Sequence, residues 1–258
     1  MIIVITGASS GLGKLLAEKY RKLGHKVVGL SRRPECEDDI KCDVSNLDET
    51  QYAFSLIKEK YGKIDMLFNN AGYGVSGATE LISNDSAKQI FDVNFFGVLN
   101  CSKCALPLMG KGSRIINISS ACALFALPFR SLYCASKASV NLLSMSMRME
   151  LIPAGIDITC ICPGDTKTNF TKNREKHFVT NERYGSRIEN ATLRVDKNEN
   201  KRMPAEKVVK KIIKIACKKK TKPMYIIGAK YKLLAFAMRF FPQSALNKMT
   251  YKIYGGNK

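Results

Sequence analysis

The sequence predicts a single α/β domain built on a doubly wound parallel sheet of about seven strands, with helices on both faces. Three observations carry this expectation. Over residues 1–164, short apolar runs alternate with amphipathic stretches, the pattern of βα units. A glycine-rich turn closes the first apolar run and opens the first amphipathic one. At 258 residues the chain can bury one substantial core, and no internal repeat or low-complexity linker divides it.

Residues 2–5, Ile-Ile-Val-Ile, are β-branched throughout and read as a first buried strand. The run is too short for a signal peptide, lacks a basic start and leads straight into Thr6-Gly7. Further strand-like runs occupy 26–30, 64–68, 114–118 and 157–161, and 224–227 reads as a last strand. Helical patterns fill 12–23, 47–61, 86–109, 131–150 and 205–217. Two segments stand apart. Residues 165–203 are polar and weakly periodic, as expected of a substrate lid or a disordered insertion. Residues 230–254 return to apolar content around Pro242, with the spacing of two short amphipathic helices. The whole of 1–258 is therefore one domain, with a lid at 165–203 and a C-terminal helical extension at 230–254.

Hydrophobic residues make up 45% of the chain, as in a soluble globular protein. No segment reads as a membrane span; the longest late apolar stretch, 233–241, is short and interrupted by Arg239. The expected compartment is the cytoplasm. Nine cysteines include a formal C-x-x-C at Cys101 and Cys104, but only His25 and His177 could join a metal set. Reduced, structural thiols are expected, and no metal site. Residues 165–258 hold 24 Lys and Arg against 7 Asp and Glu, which is most of the chain's net charge of +20. After Glu206 there are 14 basic residues and no acidic one. Such a surface is either simply solvated or attracted to an anionic membrane or acidic partner. No recognisable nucleic-acid-binding module accompanies it, so specific nucleic-acid recognition is not expected.

The motifs concentrate at strand ends. Thr6-Gly7-Ala8-Ser9-Ser10-Gly11-Leu12-Gly13 spaces its glycines G-x-x-x-G-x-G, where the backbone can turn tightly and a helix N-terminus can meet a pyrophosphate. The second strand ends Gly29-Leu30-Ser31-Arg32-Arg33, with no acidic residue at 31 or 32 to hold ribose hydroxyls. Arginine there suits a 2′-phosphate, so NADP(H) is favoured over NAD(H). Asn69-Asn70-Ala71-Gly72 ends another strand, and Asn94 sits inside a helical stretch, where it could free a backbone carbonyl to hold a water. Ser119 and Ser120 close the strand at 114–118, at the carboxyl edge where such sheets bind ligands. Thirteen residues on, Tyr133 is followed four residues later by Lys137. Residues at i and i+4 share a helix face. A cation so placed favours the phenolate and lowers a pKa that is ordinarily about 10.

This ordered set resembles the short-chain dehydrogenase/reductase family: the glycine turn, Asp43, Asn-Asn-Ala-Gly, Asn94, Ser120, Tyr133 with Lys137, and Pro163-Gly164. The match runs from Thr6 to about Thr168. The resemblance implies a Rossmann-type fold, often assembled as dimers or tetramers. It implies that Ser120, not Ser119, is the catalytic serine, polarising the substrate carbonyl, and that Tyr133 exchanges the proton. Lys137 would hold the nicotinamide ribose, and Asn94 a water linking Lys137 to solvent. Cofactor contacts would come from Gly7, Ser9, Ser10, Gly11, Leu12 and Gly13 in the turn, and from Ser31, Arg32 and Arg33. Asp43 and Val44 would meet the adenine. Asn70, Ala71, Gly72, Pro163 and Gly164 would line the cofactor, and Thr168 would lie on the carboxamide side of the nicotinamide. The segment 127–137 is most similar to the hydroxysteroid and lipid-active branch. Nearby, Leu124, Phe125, Leu127 and Phe129 either line a hydrophobic pocket or serve as core or oligomer contacts.

The expected activity is NADP(H)-dependent hydride transfer between nicotinamide and a ketone or secondary alcohol, on a lipophilic substrate. Peripheral contact with an anionic membrane through the C-terminal region is part of that expectation. Two alternatives stay open: a 3-oxoacyl-carrier-protein reductase, and a catalytically idle NADP(H)-sensing interaction protein.

Overall fold

The computed structural model describes residues 1–171, 173–179, 181–197 and 202–255. Chain order begins β1 (Ile2–Thr6), α1 (Gly11–Lys22), β2 (Lys26–Ser31), β3 (Ile40–Lys41), α2 (Leu47–Tyr61), β4 (Met66–Asn69), β5 (Val75–Ser76) and α3 (Asn84–Phe91). After a π-helical turn at Asp92–Phe96 come α4 (Gly97–Ala105), β6 (Arg114–Ile118), α5 (Ser131–Glu150) and β7 (Asp157–Pro163). The remainder is β8 (Thr166–Lys167), β9 (Glu175–Lys176), α6 (Arg187–Lys197), β10 (Met203–Pro204), α7 (Ala205–Ala216), β11 (Met224–Ile227), α8 (Ala229–Ala237) and α9 (Gln243–Tyr254).

Seven strands form the main sheet in the order β3-β2-β1-β4-β6-β7-β11, and every pairing is parallel. Side chains alternate across a strand, so each strand feeds two cores. Ile3, Ile5, Phe68, Ile116 and Ile161 pack under α1 and α7 through Leu16, Tyr20, Val208 and Ile212. Val4, Leu67, Ile115 and Ile158 pack on the other face against Phe54 of α2, Cys101 of α4 and Met147 of α5. Strand order reverses between β1, which leads to β2, and β4, which leads to β6. Their carboxyl ends, at Thr6 and Asn69, therefore flank the crevice where a sheet of this kind takes a ligand.

Two expectations are revised, and one of the seven expected strands lies outside the apolar runs. The edge strand β3 spans two residues, too short to leave a pattern. The helix expected over 86–109 is interrupted by the π-helical turn around Asn94. The segment 165–203 is more ordered than its polarity suggests: β5 pairs with β9, β8 pairs with β10, and α6 buries Ile188, Ala191 and Thr192. The buried residues of α6 follow i, i+3, i+4 spacing, a helical pattern that its many charged and amide neighbours outweigh in a reading by composition. The C-terminal extension does form two helices, and Pro242 is the residue before α9. However, α8 buries only Tyr231 and has no continuous apolar stripe against the domain.

Candidate active site

The glycine turn is built for close approach. Gly7 and Gly11 adopt φ of 66° and 55°, a region that β-carbons disfavour. A Cβ on Gly13 would lie 2.3 Å from the Gly7 carbonyl oxygen, so α1 can reach the turn only because that position is bare. The N-cap of α1, Ser10, makes no side-chain capping bond, which leaves the first-turn amides available to an anion. Asn70 and Ala71 bring β4 to the turn, both donating their backbone N–H to the Thr6 hydroxyl at 2.9 Å. Beyond β2, Arg32 and Arg33 are exposed, and the buried Ser31 hydroxyl has no partner. The nearby Glu35 is committed to Lys14 at 2.5 Å. Asp43 accepts from the Ser45 amide and hydroxyl, fixing the loop beside Val44.

The candidate catalytic residues come from the ends of β6 and α5. Ser120 is extended, and its hydroxyl accepts from the Cys122 amide at 3.1 Å and interacts with the Tyr133 phenol. Ser119 turns the other way and donates to the Lys137 carbonyl at 3.0 Å. Lys137 is buried and donates from Nζ to the Ile118 carbonyl at 3.1 Å. Asn94 is fully buried: Oδ1 accepts from the Tyr73 amide, and Nδ2 donates to the Tyr73 carbonyl and the Ser136 hydroxyl, each at 3.0 Å. A Cβ on Gly72 would sit 2.7 Å from Asn94 Oδ1 and 3.1 Å from Lys137 Nζ, so that glycine lets the three segments meet.

One cavity of about 1000 Å³ joins these parts. Every residue expected at the site lines it except Gly13, which supports the turn from behind, and Asn94, which lies beneath Tyr73. The partnerless Ser31 hydroxyl, the bare approach at Gly7 and the uncapped start of α1 fit an extended phosphate-bearing dinucleotide.

A family model described as short chain dehydrogenase matches residues 1–178. The chain belongs to the short-chain dehydrogenase/reductase family. A 3-ketodihydrosphingosine reductase of Bacteroides thetaiotaomicron is 37% identical over 226 residues, covering 84% of each chain. A 3beta-hydroxysteroid dehydrogenase of Mediterraneibacter gnavus is 34% identical, covering 69% of this chain and 71% of that one. Among solved structures, a short-chain dehydrogenase from Streptomyces avermitilis superposes with a TM-score of 0.82 over 100% of this chain and 98% of that one; at 24% identity it shows the shared fold. The protein is thus a short-chain dehydrogenase/reductase, an oxidoreductase of the CH–OH/C=O type whose family binds a nicotinamide cofactor.

Within this dehydrogenase/reductase, one expectation about electrostatics is corrected, and the apolar residues near Tyr133 take the core role of the two left open. The Tyr133 pKa is not depressed here. Burial pushes the tyrosine well above its ordinary value, and the neighbouring Cys122 adds to this against the Ser120 hydroxyl. The same burial lowers Lys137 itself to about 8. The Asn94 side chain reaches no solvent; its amide is spent on Tyr73 and Ser136. Leu127 and Phe129 do not line the large cavity. Phe129 is buried against Ala78, Ile188 and Ala191, at a strained φ of 61°, and Phe125 stacks on Tyr231 at 6.5 Å. Sequence reasoning missed Tyr73, Cys122, Phe170 and Tyr231 in the cavity wall. Phe170 packs on Tyr133 with ring centroids 5.7 Å apart. Tyr73 directly follows the motif at Gly72 and Cys122 lies two residues after Ser120, whereas Phe170 and Tyr231 reach the wall only through the tertiary path of residues 165–203 and of α8.

Proposed function

We propose that this protein is an NADP(H)-dependent reductase of a ketone on a lipophilic substrate. The observation that carries the reading is the single cavity that holds Ser120, Tyr133 and Lys137 in one part and Arg32 with Arg33 in another. The nicotinamide, when bound, supplies the hydride. Ser120 donates a hydrogen bond to the carbonyl oxygen and stabilises charge as it develops there. Tyr133 delivers its phenolic proton to that oxygen. A tyrosine kept protonated by burial is already in the proton-donating form, which suits reduction. Lys137 holds the cofactor ribose and, with Asn94 behind it, keeps the tyrosine's surroundings fixed. Tyr73, Phe170 and Cys122 give the substrate end an aromatic and apolar wall, in keeping with the lipid and steroid substrates named for the relatives.

Preference for NADP(H) rests on the two exposed arginines after β2 and on the engagement of Glu35 by Lys14. A charge-assisted hydrogen bond contributes about 1.5–3 kcal/mol. Arg32→Ala is therefore expected to raise the KM for NADPH about tenfold or more while leaving that for NADH nearly unchanged. Steady-state kinetics with both cofactors check this; equal KM values in the wild type would refute the preference. A homo-oligomer is part of the reading, supported by the exposed Leu142 and Met149 on α5.

A further inference from the structure

Among the described residues, the C-terminal helices leave their largest apolar side chains in solvent. Leu233, Phe236, Phe240 and Phe241 are 69%, 58%, 71% and 57% exposed. Leu233, Phe236 and Phe240 follow i, i+3, i+7 spacing, so they share one side of α8 and of the turn that extends it. Phe236 and Phe240 meet edge-to-face at 5.2 Å, and on α9 Met249, Tyr251 and Ile253 are exposed as well. Around them stand the exposed cations Lys230, Lys232, Arg239, Lys248 and Lys252, with no carboxylate in the sequence beyond Glu206.

The opposite side of α8 belongs to the active-site cavity. Tyr231, at 100° per residue, projects away from Leu233, Phe236 and Phe240. Its hydroxyl donates to Asp165 at 2.5 Å, its ring stacks on Phe125, and it covers Gly164, where a Cβ would lie 2.2 Å from the ring. One short helix therefore carries a wall of the cavity on one side and a bare apolar, cation-rimmed surface on the other.

We propose that α8 and α9 seat on an anionic lipid surface, with Leu233, Phe236, Phe240 and Phe241 at the acyl boundary and the five cations among the headgroups. Substrate then reaches the cavity from that surface past Tyr231; this second part rests on the lipophilic-ketone reading above. Charge selects the occupant. A second copy seated on the same face would bring five cations against five like charges, whereas an anionic bilayer neutralises them. A copy also has the apolar face at Leu142 and Met149 of α5 available. No helix among the described residues is long and apolar enough to cross a membrane, so the contact is peripheral.

The test is flotation of the full-length protein with phosphatidylcholine vesicles, with and without phosphatidylglycerol. The wild type is expected to float with the anionic vesicles at low salt and to be released as salt rises. A Phe236→Ser/Phe240→Ser variant is expected to lose at least about tenfold in bound fraction, given the area each ring buries. Both positions are exposed, so an unchanged thermal midpoint confirms that the variant folds. Its turnover of a water-soluble ketone should match the wild type, while turnover of a ketone dissolved in the vesicles falls several-fold. Failure of the wild type to float at low salt overturns the proposal, as does equal flotation of the variant. A wild-type dimer that the variant dissociates, without vesicle binding, assigns the face to a second copy and overturns it too. Equal turnover of the vesicle-borne ketone overturns the access route. Flotation without turnover of either ketone upholds the docking and refutes the catalytic reading instead.

Discussion

At the scale of single residues, Lys137 is held in an environment that disfavours its charge. Its pKa falls from 10.5 to about 8 because the ammonium is buried. A lysine whose folded value lies below its unfolded value costs stability at every pH below the folded value, and the cost fades as pH rises toward the unfolded one. Replacing it with an apolar residue removes that pH dependence. Lys137→Met is therefore expected to abolish activity yet raise apoenzyme stability relative to the wild type at pH 7. The wild type should then recover about 2–3 kcal/mol on the variant between pH 7 and pH 10. Denaturant melts of both proteins at the two pH values check this. The pairing of Tyr133 with Lys137 was legible in the sequence because helical spacing is a local property. The sign of the tyrosine's shift was not, because it depends on how deeply both groups are buried and on Cys122, which arrives from a separate loop.

At the scale of elements, the site depends on places where backbones come unusually close. The π-helical turn of Asp92–Phe96 carries Asn94 under the Tyr73 backbone, and Gly13 lets α1 meet the Gly7 carbonyl. A Cβ at 13 cannot be absorbed by a flexible side chain, since the first atom it meets is backbone. Gly13→Ala is expected to destabilise by about 1–3 kcal/mol and to weaken NADPH binding, as read by thermal melts with and without cofactor. Removal of the Asn94 side chain leaves the part-buried Tyr73 N–H and C=O, and the buried Ser136 hydroxyl, without this partner. At about 1–3 kcal/mol for each such group, Asn94→Ala should lower the denaturation midpoint well beyond a surface substitution. The strands and long helices were readable because their periodicities are strong. Helix α6 was not, since its short stripe of Ile188, Ala191 and Thr192 is set in a segment dominated by charged and amide residues, and the helix interruption at Asn94 involves hydrogen bonds to Tyr73, 21 residues away.

At the scale of the whole molecule, the parallel sheet gathers motifs far apart in sequence onto one edge. Thr6, Asn69, Ile118 and Pro163 all end strands there, so residues far apart in sequence share one cavity. Fold and motif positions therefore followed from sequence order alone. The far wall, made by Phe170 and by Tyr231 of α8, follows from tertiary packing that no local pattern encodes. The central claim is that Ser120 and Tyr133 act as the acid end of a carbonyl reduction. The most direct measurement is NADPH oxidation across steroid, long-chain and acyl-thioester ketones by the wild type, Ser120→Ala and Tyr133→Phe. The wild type is expected to turn over at least one lipophilic ketone. Losses of about 10²–10⁴-fold are expected for Tyr133→Phe and of about 10²–10³-fold for Ser120→Ala, with both variants folded and still binding NADPH. A wild type that oxidises NADPH with none of these ketones, or a Tyr133→Phe variant as active as the wild type, would contradict it.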